Sequence, residues 1–368
     1  MQAGPASGRC PVCGDPVGVV IGAAGGSGAG RRRRSLPQMP APTTRHPATG
    51  YLYVLAAAAM FAVNGSVAKL VLDAGLSAER LTEVRAAGAL VVLLGVCLVR
   101  RTSLRVERRD LPLIAFYGVV GFAMVQWLYL ITIGRLPVGI GLLFEFTAPV
   151  MVAGYARVVQ KQPVRGRFWA ALVLSLVGLS MVAEAWSDAR LDALGVGAGL
   201  LCAVALTVFY LIGEHRTASH DPYAILFWGF LFATLFWTVA QPWWGYPAGL
   251  LDEPVDLGVG RVDLPIWVLV AWIVVLGTVV PFLLNLKALR VLPASSVGVT
   301  AMIEPVLAGA VAWVWLDQRL AAWQVAGSVV VLTGIALAQT ARIQPRPDPT
   351  DRPDEPVHPI AASEAFPP

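Results

Sequence analysis

The sequence predicts an all-α integral membrane protein of ten transmembrane helices, arranged as two five-helix repeats of inverted topology. Three observations point there. Hydrophobic residues make up 57% of the 368 and charged residues only 14%, too few charges to cover a soluble surface of that size. Apolar runs of roughly twenty residues, the length that crosses a bilayer core, recur from Tyr51 to Ala341. Finally, Leu136-Pro137 followed twelve residues later by Pro149 reappears as Leu292-Pro293 followed twelve residues later by Pro305.

The apolar runs place spans, in order, at 51–73, 81–99, 111–133, 137–159, 168–185, 194–213, 223–241, 265–287, 294–316 and 321–341. No other segment is long enough to span. Residues 51–185 form the first repeat and residues 194–341 the second. Leu136 with Leu292, Pro137 with Pro293, Pro149 with Pro305 and Gly178 with Gly334 are each 156 positions apart. Five spans per repeat is an odd number, so the second repeat enters the membrane upside down, as in many secondary transporters. Residues 1–49, rich in Gly, Pro, Ala and Arg, and the Pro-rich residues 343–368 cannot bury a core and read as disordered cytoplasmic tails.

Orientation follows from Lys and Arg, which collect in cytoplasmic loops. With the N-terminus inside, 21 of them lie on the inner side, and Arg80, Arg135, Arg190, Arg261 and Arg319 on the outer. Lys69 and Arg85 fall within spans. The longest outer loop, 242–264, carries Asp252, Glu253, Asp256 and Asp263, and Trp243, Trp244 and Tyr246 suit an interfacial belt. Both termini are therefore expected in the cytoplasm of a multi-pass plasma-membrane protein. The net charge of +5 is accounted for by loops facing an anionic inner leaflet and is no sign of a nucleic-acid partner.

Carboxylates inside apolar spans are costly, about 2.5 to 3.5 kcal/mol on insertion scales, and are normally kept for a task. Glu145 and Glu304 occupy near-corresponding places in the two repeats. At about 1.5 Å per residue, Glu145 lies about 12 Å from the outer end of its span and Glu304 about 15 Å from the inner end of its own. Asn64, Gln126 and Tyr210 share that depth; Lys69 and Arg85 lie nearer the outer mouth and Asn285 nearer the inner one. Together these residues are the candidate substrate and proton site. Structural alternatives stand beside this reading. Glu304 could tie a proline-broken helix together, Glu145 could form an ion pair with Lys69 or Arg85, and Arg85 could snorkel to the interface beside Glu83. Asn64 and Gln126 could bridge helices, and Trp127, Tyr129, Trp313 and Trp315 read as packing or belt residues.

The residues Leu289-Arg290-Val291-Leu292-Pro293-Ala294, then Ile303-Glu304-Pro305-Val306-Leu307-Ala308, then Trp315-Leu316, resemble the signature of the drug/metabolite transporter superfamily, EamA type. Leu136-Pro137 and Ala148-Pro149-Val150 are similar to its degenerate first repeat, and Arg85 matches a position where that family commonly has Arg. The resemblance implies a ten-helix bundle that moves small metabolites, amino acids or drugs out of a bacterial cell. Asp317-Gln318-Arg319 departs from the pattern, standing where the family usually has Gly-Glu.

The expected function is export of such a solute by alternating access. A midplane carboxylate facing the two sides in turn could take up a proton on one and release it on the other. The partners are then a small-molecule substrate, protons and the lipid bilayer, with a homodimer left open. An importer of the same solutes, or a membrane enzyme acting on lipid-linked substrates, is the alternative. Against the enzyme, His46, His215, His220 and His358 all lie outside the spans and no metal-ligand cluster recurs at helical spacing. A phosphate-cradling Gly-Lys-Ser/Thr motif is also missing, so no nucleotide cofactor is expected. Cys10 and Cys13 resemble half a zinc knuckle, but no second ligand pair lies near.

Overall fold

The structure, a computed structural model, describes residues 47–186, 192–256, 263–316 and 321–340. Both tails, including Cys10, Cys13 and His46, and the Asp317-Gln318-Arg319 departure lie outside them. Ten helices carry the fold: α1 Pro47–Asp73, α2 Ala78–Arg100, α3 Leu111–Arg135, α4 Val138–Val158, α5 Gly166–Val182, α6 Ala193–Thr217, α7 Pro222–Ala240, α8 Ile266–Leu289, α9 in two pieces Ala294–Ala301 and Glu304–Leu316, and α10 Ala322–Thr340. Among the described residues nine of these are long and apolar enough to cross a membrane; α5, at 17 residues, is the short one. Its helix stops three residues before the expected end, at a turn where Glu184 takes a left-handed φ of 49°.

Local signals explain the remaining ends. Ser77 accepts from the Arg80 amide at 3.3 Å, Asp192 from the Gly195 amide at 2.8 Å and Asp221 from the Tyr223 amide at 2.8 Å, which satisfies free donors at the starts of α2, α6 and α7. At the end of α2, Arg101 turns left-handed, and the Arg101 and Thr102 amides close back onto Leu98 and Cys97 carbonyls, an αL stop.

Two irregularities recur in both repeats. Helix α4 breaks at Phe146-Thr147 and α9 at Met302-Ile303, positions again 156 apart. Pro149 and Pro305 lack the amide hydrogen that would bond the carbonyls of Glu145 and Ala301 four residues earlier. The chain tightens instead: the Thr147 amide bonds Phe144 O, and that of Ile303 bonds Thr300 O. The second irregularity is a widened π segment, Gly118–Met124 in α3 and Val275–Val279 in α8.

Small residues let the helices approach closely. At the α5–α10 crossing a Cβ on Gly178 would lie 2.6 Å from the Val331 nitrogen and 2.7 Å from the Gly327 carbonyl oxygen. Gly334, the repeat counterpart of Gly178, sits in the same crossing against Ala171 and Ser175. Large buried side chains are concentrated in an aromatic cluster of Tyr117, Phe122, Phe209, Phe230 and Phe282, with ring centroids 5.0–6.0 Å apart. Exposed Leu52, Val91, Leu98, Val99, Leu201 and Val239 coat the outside, as lipid requires.

The described parts of the 242–264 loop, residues 242–256 and 263–264, carry regular structure. Two 3-10 turns, Trp243–Gly245 and Ala248–Asp252, lead into β1 Pro254–Asp256, which pairs antiparallel with β2 Asp263–Pro265. Arg80 anchors it: its Nη1 donates to Glu83 Oε2 at 2.8 Å and to the Pro242 carbonyl at 3.1 Å. Tyr246 lies under the same guanidinium at 5.8 Å, while Trp244 is 92% exposed.

Candidate functional site

The breaks in α4 and α9 decide where the two carboxylates go. Glu145 is the last residue before the first break and Glu304 the first residue after the second. The three-residue offset between them is thus the step across a two-residue break, with one acid on each lip. Both line one internal cavity, together with Asn64, Arg85, Gln126, Tyr210 and Asn285. Space open to water-sized molecules there is about 60 Å³, several times the roughly 10–15 Å³ that one water needs.

Arg85 is 2% exposed and held by the π segment of α8. Its Nε donates to Thr278 Oγ1 at 3.1 Å and its Nη2 to the Gly277 carbonyl at 3.2 Å. Pro281 explains why that carbonyl is available, since it has no amide hydrogen to return to Gly277 four residues earlier. Thr278 Oγ1 in turn donates to the Ile273 carbonyl at 2.8 Å. Snorkelling beside Glu83 does not occur; Glu83 bonds Arg80 instead.

Asn64 Oδ1, Gln126 Oε1 and Asn285 Oδ1 are buried without a hydrogen-bond partner. Gln126 Nε2 donates to the Phe122 carbonyl at 2.8 Å, which fixes its amide with the oxygen as the free end. Bare acceptors in an apolar surrounding are costly.

Lys69 is the one candidate that does not line this cavity. It bonds Asp73 at 2.8 Å, one turn on, with about a third of its side chain exposed. No ion pair within 4.0 Å joins Glu145 to Lys69 or Arg85 among the described residues. Tyr129, read from sequence as a packing residue, lines the cavity, as do Phe61, Phe209 and Phe282. Thr278, which seats Arg85, carried no sequence signal beyond its place inside a span. Trp127 behaves as packing: it donates to Glu79 at 3.1 Å and meets Trp237 edge-on.

The protein-family model of the EamA-like transporter family matches the chain twice, over residues 48–183 and 193–340. The chain belongs to the EamA-like transporter family. Its two matches cover the two repeats, and the EamA fold is the ten-helix, all-α membrane bundle described above. The threonine/homoserine exporter RhtA of Salmonella typhimurium is 26% identical over 310 residues, covering 84% of this chain and 98% of that protein. RhtA of Escherichia coli strain K12 is 28% identical over 244 residues, covering 66% of this chain and 75% of its own. Another protein's crystal structure shares the fold with a TM-score of 0.61, covering 80% of this chain and 98% of the other at 16% identity.

Proposed function

We propose that this EamA protein exports a small polar metabolite across the plasma membrane by alternating access and drives export with protons. The observation that carries the reading is the placement of Glu145 and Glu304 on the lips of two equivalent helix breaks, facing one cavity. A break frees backbone groups at membrane depth, tolerated only where they are buried in protein or line a cavity. A carboxylate there can exchange a proton with whichever side the cavity faces. One guanidinium against two carboxylates leaves the cavity lining with a formal charge of −1, so a single proton or a single positive group on the solute neutralises it. Competition between the two for the same carboxylates couples proton entry to solute exit. The Lys/Arg distribution supports cytoplasmic termini, and the RhtA relatives, named for threonine and homoserine export, support outward transport of an amino-acid-sized solute.

The test uses full-length protein in proteoliposomes with and without an imposed pH gradient. Glu304→Gln keeps the shape and much of the hydrogen bonding but cannot exchange a proton. It is expected to insert normally, to retain solute exchange and to lose gradient-driven accumulation. Glu145→Gln is expected to do less harm, because Glu304 is the more deeply enclosed of the two at 8% exposure. If Glu145→Gln abolishes accumulation and Glu304→Gln does not, the roles are reversed; accumulation unchanged in both would end the coupling model.

A further inference from the structure

Away from the cavity, two cations meet on one tyrosine at the ends of four helices. Arg100, the last residue of α2, holds its guanidinium carbon 4.3 Å from the Tyr223 ring centroid, and Lys287, near the end of α8, holds Nζ 5.0 Å from the same centroid. Lys287 Nζ also donates to the Tyr223 hydroxyl at 3.1 Å and lies 5.8 Å from the Tyr53 ring, in the second turn of α1. Tyr223 itself is half-buried in the first turn of α7. Among the described residues neither cation has a carboxylate within 4.0 Å. Nearby charges are spent elsewhere: Arg216 pairs with Asp110, Arg109 with Glu107, and Asp221 accepts from the Tyr223 amide. Like charges repel, and a ring face satisfies a cation less well than an anion does.

We infer that Arg100, Lys287 and the Tyr223 hydroxyl form a binding site for the phosphate of an anionic phospholipid. Its oxygens accept from the guanidinium, from the ammonium and from the hydroxyl, whose own proton is free because that oxygen accepts from Lys287. Three features favour a lipid over free phosphate. The site lies at helix ends, the depth of headgroups. Leu52, Leu98 and Val99, chain neighbours of Tyr53 and Arg100, are exposed and offer acyl chains an apolar surface. The adjoining loop carries Arg101, Arg105, Arg108 and Arg109, the mark of a face turned to an anionic inner leaflet. Diffuse attraction of that loop needs no site; Arg100 and Lys287 differ from the loop arginines in being drawn onto one ring from separate helices. A phosphate held there bridges α2, α7 and α8, two residues along α8 from Asn285 of the cavity.

The experiment follows lipid binding to the detergent-purified full chain by native mass spectrometry, with the unfolding temperature as a second readout. The probes are phosphatidylglycerol, phosphatidylcholine with the same acyl chains, and inorganic phosphate. Phosphatidylglycerol is expected to bind and to raise the unfolding temperature at concentrations roughly tenfold below those phosphatidylcholine needs, while inorganic phosphate does neither. Arg100→Gln and Lys287→Gln should each weaken phosphatidylglycerol binding about tenfold, the scale of one hydrogen bond to a charged group, and leave phosphatidylcholine binding as it was. Arg108→Gln, exposed on the same loop, should cost less. An equal loss in Arg108→Gln would reduce the site to diffuse attraction and overturn it. Phosphatidylcholine binding as tightly, or inorganic phosphate stabilising as well as phosphatidylglycerol, overturns it too. Should a glutamine variant fail to fold, a photoreactive phosphatidylglycerol on the wild-type protein decides. Crosslinks within one turn of Tyr53, Arg100, Tyr223 or Lys287 support the site, and crosslinks found only elsewhere refute it.

Discussion

At the residue scale, the site is governed by which backbone and amide groups have lost their ordinary partners. Pro149, Pro281 and Pro305 each remove one amide donor, and in each case a cavity residue stands at the consequence: Glu145 at the first, the carbonyl that seats Arg85 at the second, Glu304 one turn from the third. Gly277 has a further role. A Cβ there would fall on Asn64 Oδ1, so only glycine lets the amide lie against the π segment. Gly277→Ala is therefore expected to push Asn64 out of place and to lower transport on the order of tenfold or more at equal membrane abundance, since small misplacements at a binding site are costly. Gly197→Ala is the control: nothing lies within 4 Å of its added carbon, and transport should be unchanged. Equal activity of the two variants would show that the position of Asn64 does not matter.

Much of the cavity was legible because a polar residue in an apolar span stands out against its background. Glu145, Glu304, Asn64, Gln126, Asn285 and Arg85 are visible on that ground alone, and depth along the helix groups them. Tyr210 joined them by depth only. Lys69 misled because composition cannot say which way a side chain points: it has Asp73 four residues on, so its charge is satisfied on its own helix. Tyr129 and Thr278 were hidden for the opposite reason, since a tyrosine or threonine in a span is as common in packing as in a site.

At the element scale, the ten spans were readable from length and hydropathy and a proline break beside Glu304 from Pro305, but the π segments were not. A proline inside an apolar run announces a disturbance, and the paired Pro149 and Pro305 mark where the two breaks fall, yet the position and width of the π segments depend on tertiary packing. The α5–α10 pair shows what else packing decides. Helix α5 is the shortest span and α10 has an exposed face bearing Trp323, Val325, Val329 and Leu332, so the two rely on each other at a crossing where glycines bring backbone against backbone. In lipid there is no hydrophobic force to press helices together, and such close contact supplies the attraction. Gly178→Ala would drive a methyl into the Val331 nitrogen and Gly327 carbonyl, neither of which can rotate away. The expected cost is about 1–3 kcal/mol, read as a lowered unfolding temperature in detergent. Gly154→Ala, with open space around it, should not lower it; matching values for the two would mean that the crossing is looser than it stands here.

At the scale of the whole molecule, inversion and orientation are separate properties that one labelling experiment distinguishes. The loop between α2 and α3 in the first repeat corresponds to the loop between α7 and α8 in the second, and five spans per repeat put corresponding loops on opposite sides of the membrane. Ser103 in the first loop and Asp252 in the second are both exposed. In a cysteine-free background, Asp252→Cys is expected to react with an impermeant maleimide on intact cells, and Ser103→Cys only after lysis. The reason is that Arg100, Arg101, Arg105, Arg108 and Arg109 surround Ser103 and basic loops stay inside, whereas the α7–α8 loop has an acidic surplus. Labelling with the two positions exchanged would reverse the orientation but leave the inverted repeat intact. Labelling of both from the same side would contradict the inversion itself.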